Sequence, residues 1–103
     1  MLEHITSELP ELYIAAMGKD AAVRAAQIVA GLRDAGVNAE SDIMGRSLKA
    51  QMKYADKIAA RYTLILGDNE IASGRANIKE MATSEQTEVS LDGIADFLAA
   101  RRS

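Results

Sequence analysis

The chain has 103 residues, a net charge of −3, 49% apolar and 26% charged residues and no cysteine. That is the make-up of one ordinary globular domain, too short for a second core. It excludes disulfides and thiolate metal sites and suits a reducing, cytoplasmic setting. No apolar run approaches the ~18 residues that a membrane span needs. The opening MLEHITSELP lacks the basic-then-apolar pattern of a secretory signal, so no membrane association is expected.

In chain order, residues 1–9 are polar and lead into Pro10. The run LYIAAMG, 12–18, reads as a buried strand ending in glycine. A helix over 20–35 follows, with Asp20 as its cap and Gly36 as its stop. At about 100° per residue, Arg24, Gln27, Gly31 and Asp34 form its polar arc. Val23, Ala26, Ile28, Val29 and Leu32 form a wide apolar face for a sheet.

Alternation in VNAESDI, 37–43, predicts a half-exposed second strand, and YTLILG, 62–67, a central strand buried on both faces. Between them, 45–61 reads as a second helix capped by Ser47. DNEIASG, 68–74, is turn-rich, and 75–81 and 86–91 read as short strands joined by a turn over 82–85. The closing segment 91–101 is an amphipathic helix with Ile94, Ala95, Phe97 and Leu98 inward. Strand–helix alternation in the first half requires parallel pairing with right-handed crossovers, and the tight final link adds an antiparallel pair.

Charge is unevenly placed. Residues 1–44 carry three cations against seven acids, 45–61 carry five against one, and 62–103 carry four against seven. With Arg46 at 0°, Lys49, Lys53, Lys57 and Arg61 fall at roughly −60°, −20°, +20° and +60°. Leu48, Met52, Ala55, Ile58 and Ala59 occupy the opposite, sheet-facing side, and Gln51 and Tyr54 sit on the flanks within reach of a ligand. A solvated helix face is the plain alternative. Such faces interleave acids for i,i+4 pairing, however, and this stripe has none. Five like charges repel each other, and a polyanion such as RNA relieves that cost while releasing counterions.

GDNE, 67–70, follows the central strand at the end where open α/β sheets bind ligands. Glu70 there suits the donor edge of an unpaired guanine and Asn69 a further hydrogen bond; a simple polar turn is the alternative. Neither GxGxxG nor GxxxxGK[ST] occurs, so nucleotide binding lacks support. Gly18 is a strand-exit residue, and the acids of a receiver-type metal site are missing beside it. His4, the only histidine, lies in the polar lead-in with no second ligand. No nucleophile–base constellation is present, and neither metal nor cofactor is expected. The domain reads as a binder.

GRSLKAQMKYADKIAARYTLILGDNE followed by IKEMATSEQ resembles the C-terminal anticodon-binding domain of histidyl-tRNA synthetase, a class IIa aminoacyl-tRNA synthetase, from about Leu12 to Leu98. The specific pieces are RSLKAQ.KYA, LILG..E and K.MA..EQ in that order. The resemblance implies an α/β fold in three layers, α/β/α. Its mixed five-stranded sheet runs 2-1-3-4-5 with strand 4 antiparallel, and it carries three helices. It also implies that residues 10–103 form the domain and 1–9 a linker. The implied role is to hold the anticodon arm of histidine tRNA while a separate catalytic domain charges the other end.

Carried over residue by residue, Arg46, Ser47, Lys49 and Gln51 match the start of the basic helix. Glu70 matches the acid after the strand, and Lys79 and Gln86 match the last hairpin. With Lys53, Lys57 and Asn69 from the direct reading, these are the candidate RNA-binding residues. Class II catalytic motifs and the family's histidine-binding signature do not occur in 103 residues. The chain is thus expected to be an excised domain or a stand-alone relative, and not catalytic alone. The competing reading is a protein-interaction or regulatory module that keeps the fold without tRNA specificity.

Overall fold

The computed structural model describes residues 10–42 and 45–102, so the lead-in 1–9 and His4 lie outside the described residues. Five strands, β1 (Leu12–Ala16), β2 (Ala39–Ser41), β3 (Tyr62–Leu66), β4 (Arg75–Glu80) and β5 (Gln86–Ser90), form one sheet in the order β2-β1-β3-β4-β5. β1 pairs parallel with β2 and β3, while β3–β4 and β4–β5 are antiparallel. Four helices accompany them: α1 (Lys19–Asp34), α2 (Leu48–Lys57), α3 (Asp68–Ser73) and α4 (Ile94–Arg102). The sheet and its order are those expected. The number of helices is one more than expected, because the turn-rich segment closes a short helix.

That helix, α3, forms for a local reason. The Gly67 N–H donates to Glu70 Oε1 at 2.8 Å, satisfying a free donor at the helix start. Gly74, left-handed at φ 74°, ends the helix and donates to Glu70 O at 2.9 Å. Asp68 and Asn69 are turn formers, which hides so short a helix from a periodicity test.

Alternation sorts the core into two clusters. Leu12, Ile14, Tyr62, Leu64, Leu66, Ala76 and Ile78 point to one face, with Ala21, Ala25, Ile28, Val29 and Leu32 of α1 and Ile94 and Leu98 of α4. Tyr13 and Ala15 point to the other face, under Ala55 and Ala60 and the half-buried Leu48, Met52, Tyr54 and Ile58. Phe97 meets Tyr62 edge to face, 5.9 Å between ring centres.

α1 begins at Lys19 with Gly18, φ 100°, in the cap position and no side-chain cap. Asp20 therefore sits inside the first turn, where an acid complements the helix dipole. The helix stops as expected: Gly36, φ 86°, donates to Arg33 O and Val37 donates to Leu32 O, a double closure of the last turn. Val23 and Ala26, expected inward, are exposed, and Ala21 and Ala25 pack in their place. Small residues let the helix approach the sheet closely on that side.

β3 departs from expectation in a way that matters. It is buried on both faces except at one residue: Thr63 is 2% exposed, but Ile65 on the same face is 40% exposed, because α2 lies over β1 and does not reach it. Leu64, on the covered face at the sheet's centre, is fully buried. Leu64→Ala should cost about 3 kcal/mol, lowering the thermal midpoint by roughly 10–20 °C. A melt shifted by less than a few degrees would mean that this cluster is not the core.

Candidate nucleic-acid interface

α2 starts where the sequence places it. Ser47 accepts from the Ala50 N–H at 3.3 Å, and the helix lays Leu48, Met52, Tyr54, Ala55 and Ile58 toward Tyr13, Ala15 and Ala60. Its last turn closes early. Ala59 adopts φ 58° and donates to Asp56 O, and Ala60 donates to Ala55 O. Ala59 is thus exposed instead of facing the sheet, and Arg61 leaves the helix to lie over the Tyr62 ring, 5.3 Å from its centre.

The five-cation stripe accordingly reduces to three. Lys49, Lys53 and Lys57 are exposed along α2, and none is in an ion pair among the described residues. Arg46 precedes the helix and has an acid partner after all. Its Nε donates to Asp42 Oδ1 and its backbone N–H to Asp42 Oδ2, both at 2.9 Å. That hydrogen bond holds the guanidinium pKa above its ordinary value. The guanidinium also lies 4.6 Å from the centre of the Tyr54 ring, which packs at 5.6 Å against Tyr13. Burial, and then the nearby Asp42 carboxylate, push the Tyr13 phenol up.

Gln51 is not on an accessible flank. It is fully buried, and its Nε2 donates to Ala16 O at 2.9 Å and Arg46 O at 2.7 Å. The amide ties the end of β1 to the residue preceding α2. The flank position expected for Gln51 misreads the wheel, which puts it at about +140°, between Ile58 and Ala55. What the wheel does not show is the partner, the last carbonyl of β1, which needs a donor once β1 is buried.

The uncovered part of the sheet carries the second group of candidates. Thr63 and Ile65 of β3, Asn77 and Lys79 of β4 and Gln86 of β5 line a cavity of about 410 Å³, with Met52 of α2 and Glu70 of α3 also contributing. Lys79 stands directly opposite Gln86 and beside Thr63 in the strand register. Thr63 Oγ1 donates to Met81 Sδ at 3.4 Å. The structure therefore brings Glu70, Lys79 and Gln86 together. Asn69 is exposed on α3 and lines no cavity with them. The floor residues Thr63, Ile65 and Asn77 and the wall residue Met52 were missed. Alternation of Ala76 and Ile78 with Asn77 and Lys79 was the available signal.

A larger cavity, about 710 Å³, lies at the start of α2, where Arg46, Ser47 and Asp42 face Met17, Gly18 and Lys19 across the exit of β1. α2 contributes Leu48 to this cavity and Met52 to the sheet cavity. The helix thus separates two concave sites and presents its lysines to solvent.

The anticodon binding domain family matches residues 11–101 of the chain. The chain belongs to that family. It is 55% identical over 92 residues to the histidine–tRNA ligase of Acetivibrio thermocellus, covering 89% of this chain and 22% of the relative. It is 51% identical over 82 residues to the histidine–tRNA ligase of Clostridium perfringens, covering 80% of this chain and 20% of the relative. Apo histidyl-tRNA synthetase from S. aureus superposes with a TM-score of 0.84 at 32% identity, over 93% of this chain and 26% of that one. This anticodon-binding domain thus spans about a fifth of the length of the relatives it matches. Among its described residues no helix is long and apolar enough to cross a membrane.

Gln51→Leu removes the donor that two backbone carbonyls share. It should cost about 1–3 kcal/mol of stability, read from urea unfolding. Unchanged stability with weakened RNA binding would return Gln51 to direct contact.

Proposed function

We propose that this domain binds the anticodon arm of histidine tRNA as the recognition part of a cytoplasmic histidine–tRNA ligase, beside a separate catalytic domain and without chemistry of its own. Residues 1–9 are then part of the connection to that domain. The observation that carries the reading is a juxtaposition. An open cavity on the sheet, lined by Glu70, Lys79, Gln86 and Asn77, adjoins the helix that carries Lys49, Lys53 and Lys57. Met52, which walls the cavity, is three residues on from Lys49.

The division of labour follows from the chemistry. Lysines are mobile point charges suited to phosphates, and a row of them positions a strand without reading it. The cavity offers apolar contact from Met52 and Ile65 for a base that has left its stack, and polar groups around the rim for its edge. Glu70 commits Oε1 to the Gly67 N–H. Its second oxygen is the acceptor that a guanine edge requires. The histidine anticodon, GUG, offers two such edges.

Glu70→Gln tests the base-reading half without dismantling α3, since an amide oxygen can still accept from Gly67. Affinity for an RNA with the cognate anticodon should fall by about 1.5–3 kcal/mol, the range for one hydrogen bond to a charged group, while an RNA with adenine replacing the guanine that Glu70 reads should lose little. Equal loss on both RNAs would place base reading elsewhere. For the phosphate half, Lys49→Glu with Lys53→Glu should weaken every RNA. The slope of log K against log salt should shrink by about 0.7 per lost contact. An unchanged slope and affinity would make the lysines a solvated face.

A further inference from the structure

We propose that Asp42 and Tyr54 are positioning residues for RNA binding, holding the Arg46 guanidinium in place so that its terminal nitrogens grip a phosphate at the mouth of the larger cavity. The inference rests on the RNA-binding reading above and deepens it. Arginine on a surface is ordinarily free to choose among many rotamers, and ordering it on a ligand is costly. Arg46 is already ordered. One carboxylate takes both its backbone N–H and its Nε, at 2.9 Å each, and the Tyr54 ring lies 4.6 Å from the guanidinium carbon.

The two terminal nitrogens take no part in those bonds. They form the parallel pair that matches two oxygens of a phosphate. Arg46 shares the cavity with Lys19 and Ser47, a second cation and a hydroxyl. The Asp42 side chain is only 2% exposed, against 34% for Arg46. The acid is the more buried of the two but still lines the cavity, so its own charge opposes a phosphate there while its hold on Arg46 favours one. Tyr54 is held in turn by Tyr13, fully buried in the sheet.

The sign of one substitution separates this role from plain electrostatics. Removing an acid beside a polyanion site strengthens binding if the acid is merely a nearby charge. Asp42→Asn keeps the shape but removes the charge and sets an amide donor against one of the two Arg46 donors, which loosens the guanidinium. It should weaken binding of histidine tRNA to the 103-residue chain by roughly three- to tenfold. Tyr54→Leu, which leaves Asp42 untouched, should weaken it in the same direction, and it carries the test if Asp42→Asn does not fold. Both losses should vanish in an Arg46→Ala background, where a structural defect would persist. Equal or tighter binding by Asp42→Asn, or a loss that survives Arg46→Ala, overturns the proposal.

A readout without RNA keeps the two claims apart. The Arg46 Nε–H should be restricted by NMR relaxation in the free protein and mobile in Asp42→Asn; mobility in the unmodified protein overturns the positioning role alone. If the unmodified chain binds no tRNA, the RNA-binding reading falls and this role with it.

Discussion

One ten-residue helix has to cover one face of a five-stranded sheet, and it is too small to do so. A helix with side chains is about 10 Å across, and strands lie about 4.8 Å apart. α2 can therefore shelter about two strands. It lies against β1, whose Tyr13 and Ala15 it buries; on that side Thr63 of β3 is still buried, and Ile65 of β3 and the outward residues of β4 and β5 are left wholly or partly open. The opposite face has α1 and α4, which bury its three central strands and leave Val89 at the edge half-buried. The sheet cavity follows from this imbalance. These strands alternate apolar residues inward with Thr63, Ile65, Asn77, Lys79 and Gln86 toward the other face, so the fold leaves a concave floor, polar except for Ile65, without any loop being built for it.

The position of α2 is consequently the quantity to control, and the buried Gln51 amide controls it. Its two hydrogen bonds join Ala16 at the end of β1 to Arg46 at the entry of the helix. A buried donor with two good acceptors is directional where apolar packing is not. The same junction carries the Asp42–Arg46–Tyr54 cluster. Fixing the helix also fixes the lysine row relative to the sheet cavity, since Met52 of that helix is part of the cavity wall.

Much of this was legible in the residues, for identifiable reasons. Apolar runs ending in glycine marked β1 and β3, alternation and a turn marked the other strands, and Ser47 and Gly36 marked helix ends by chemistry that acts within one turn. What was not legible depends on contacts distant in sequence. The wheel itself puts Gln51 at about +140°, between Ile58 and Ala55 on the sheet-facing side, so its burial was legible; its partner Ala16, 35 residues away, was not. Arg61 and Ala59 were misplaced because alanine carries no stop signal, yet Ala59 takes φ 58° and ends the helix. Ile65 looked like core because β-strand periodicity says nothing of how far a neighbouring helix reaches. Of the candidate site, Glu70 came from the direct reading as well as the resemblance, and Lys79 and Gln86 from the resemblance; the β3–β4–β5 register sets Lys79 beside Gln86, and α3 brings Glu70 to the same cavity.

The central claim is that RNA lies across the open sheet face beside α2, and amide chemical-shift mapping with an unmodified histidine anticodon stem-loop tests it most directly. Shifts should concentrate at Thr63, Ile65, Glu70, Asn77, Lys79 and Gln86 and along Arg46 to Lys57, and leave the outward residues Val23, Ala26 and Ala30 of α1 unmoved. Shifts confined to α1 and α4, with the open face silent at saturating RNA, would contradict the account.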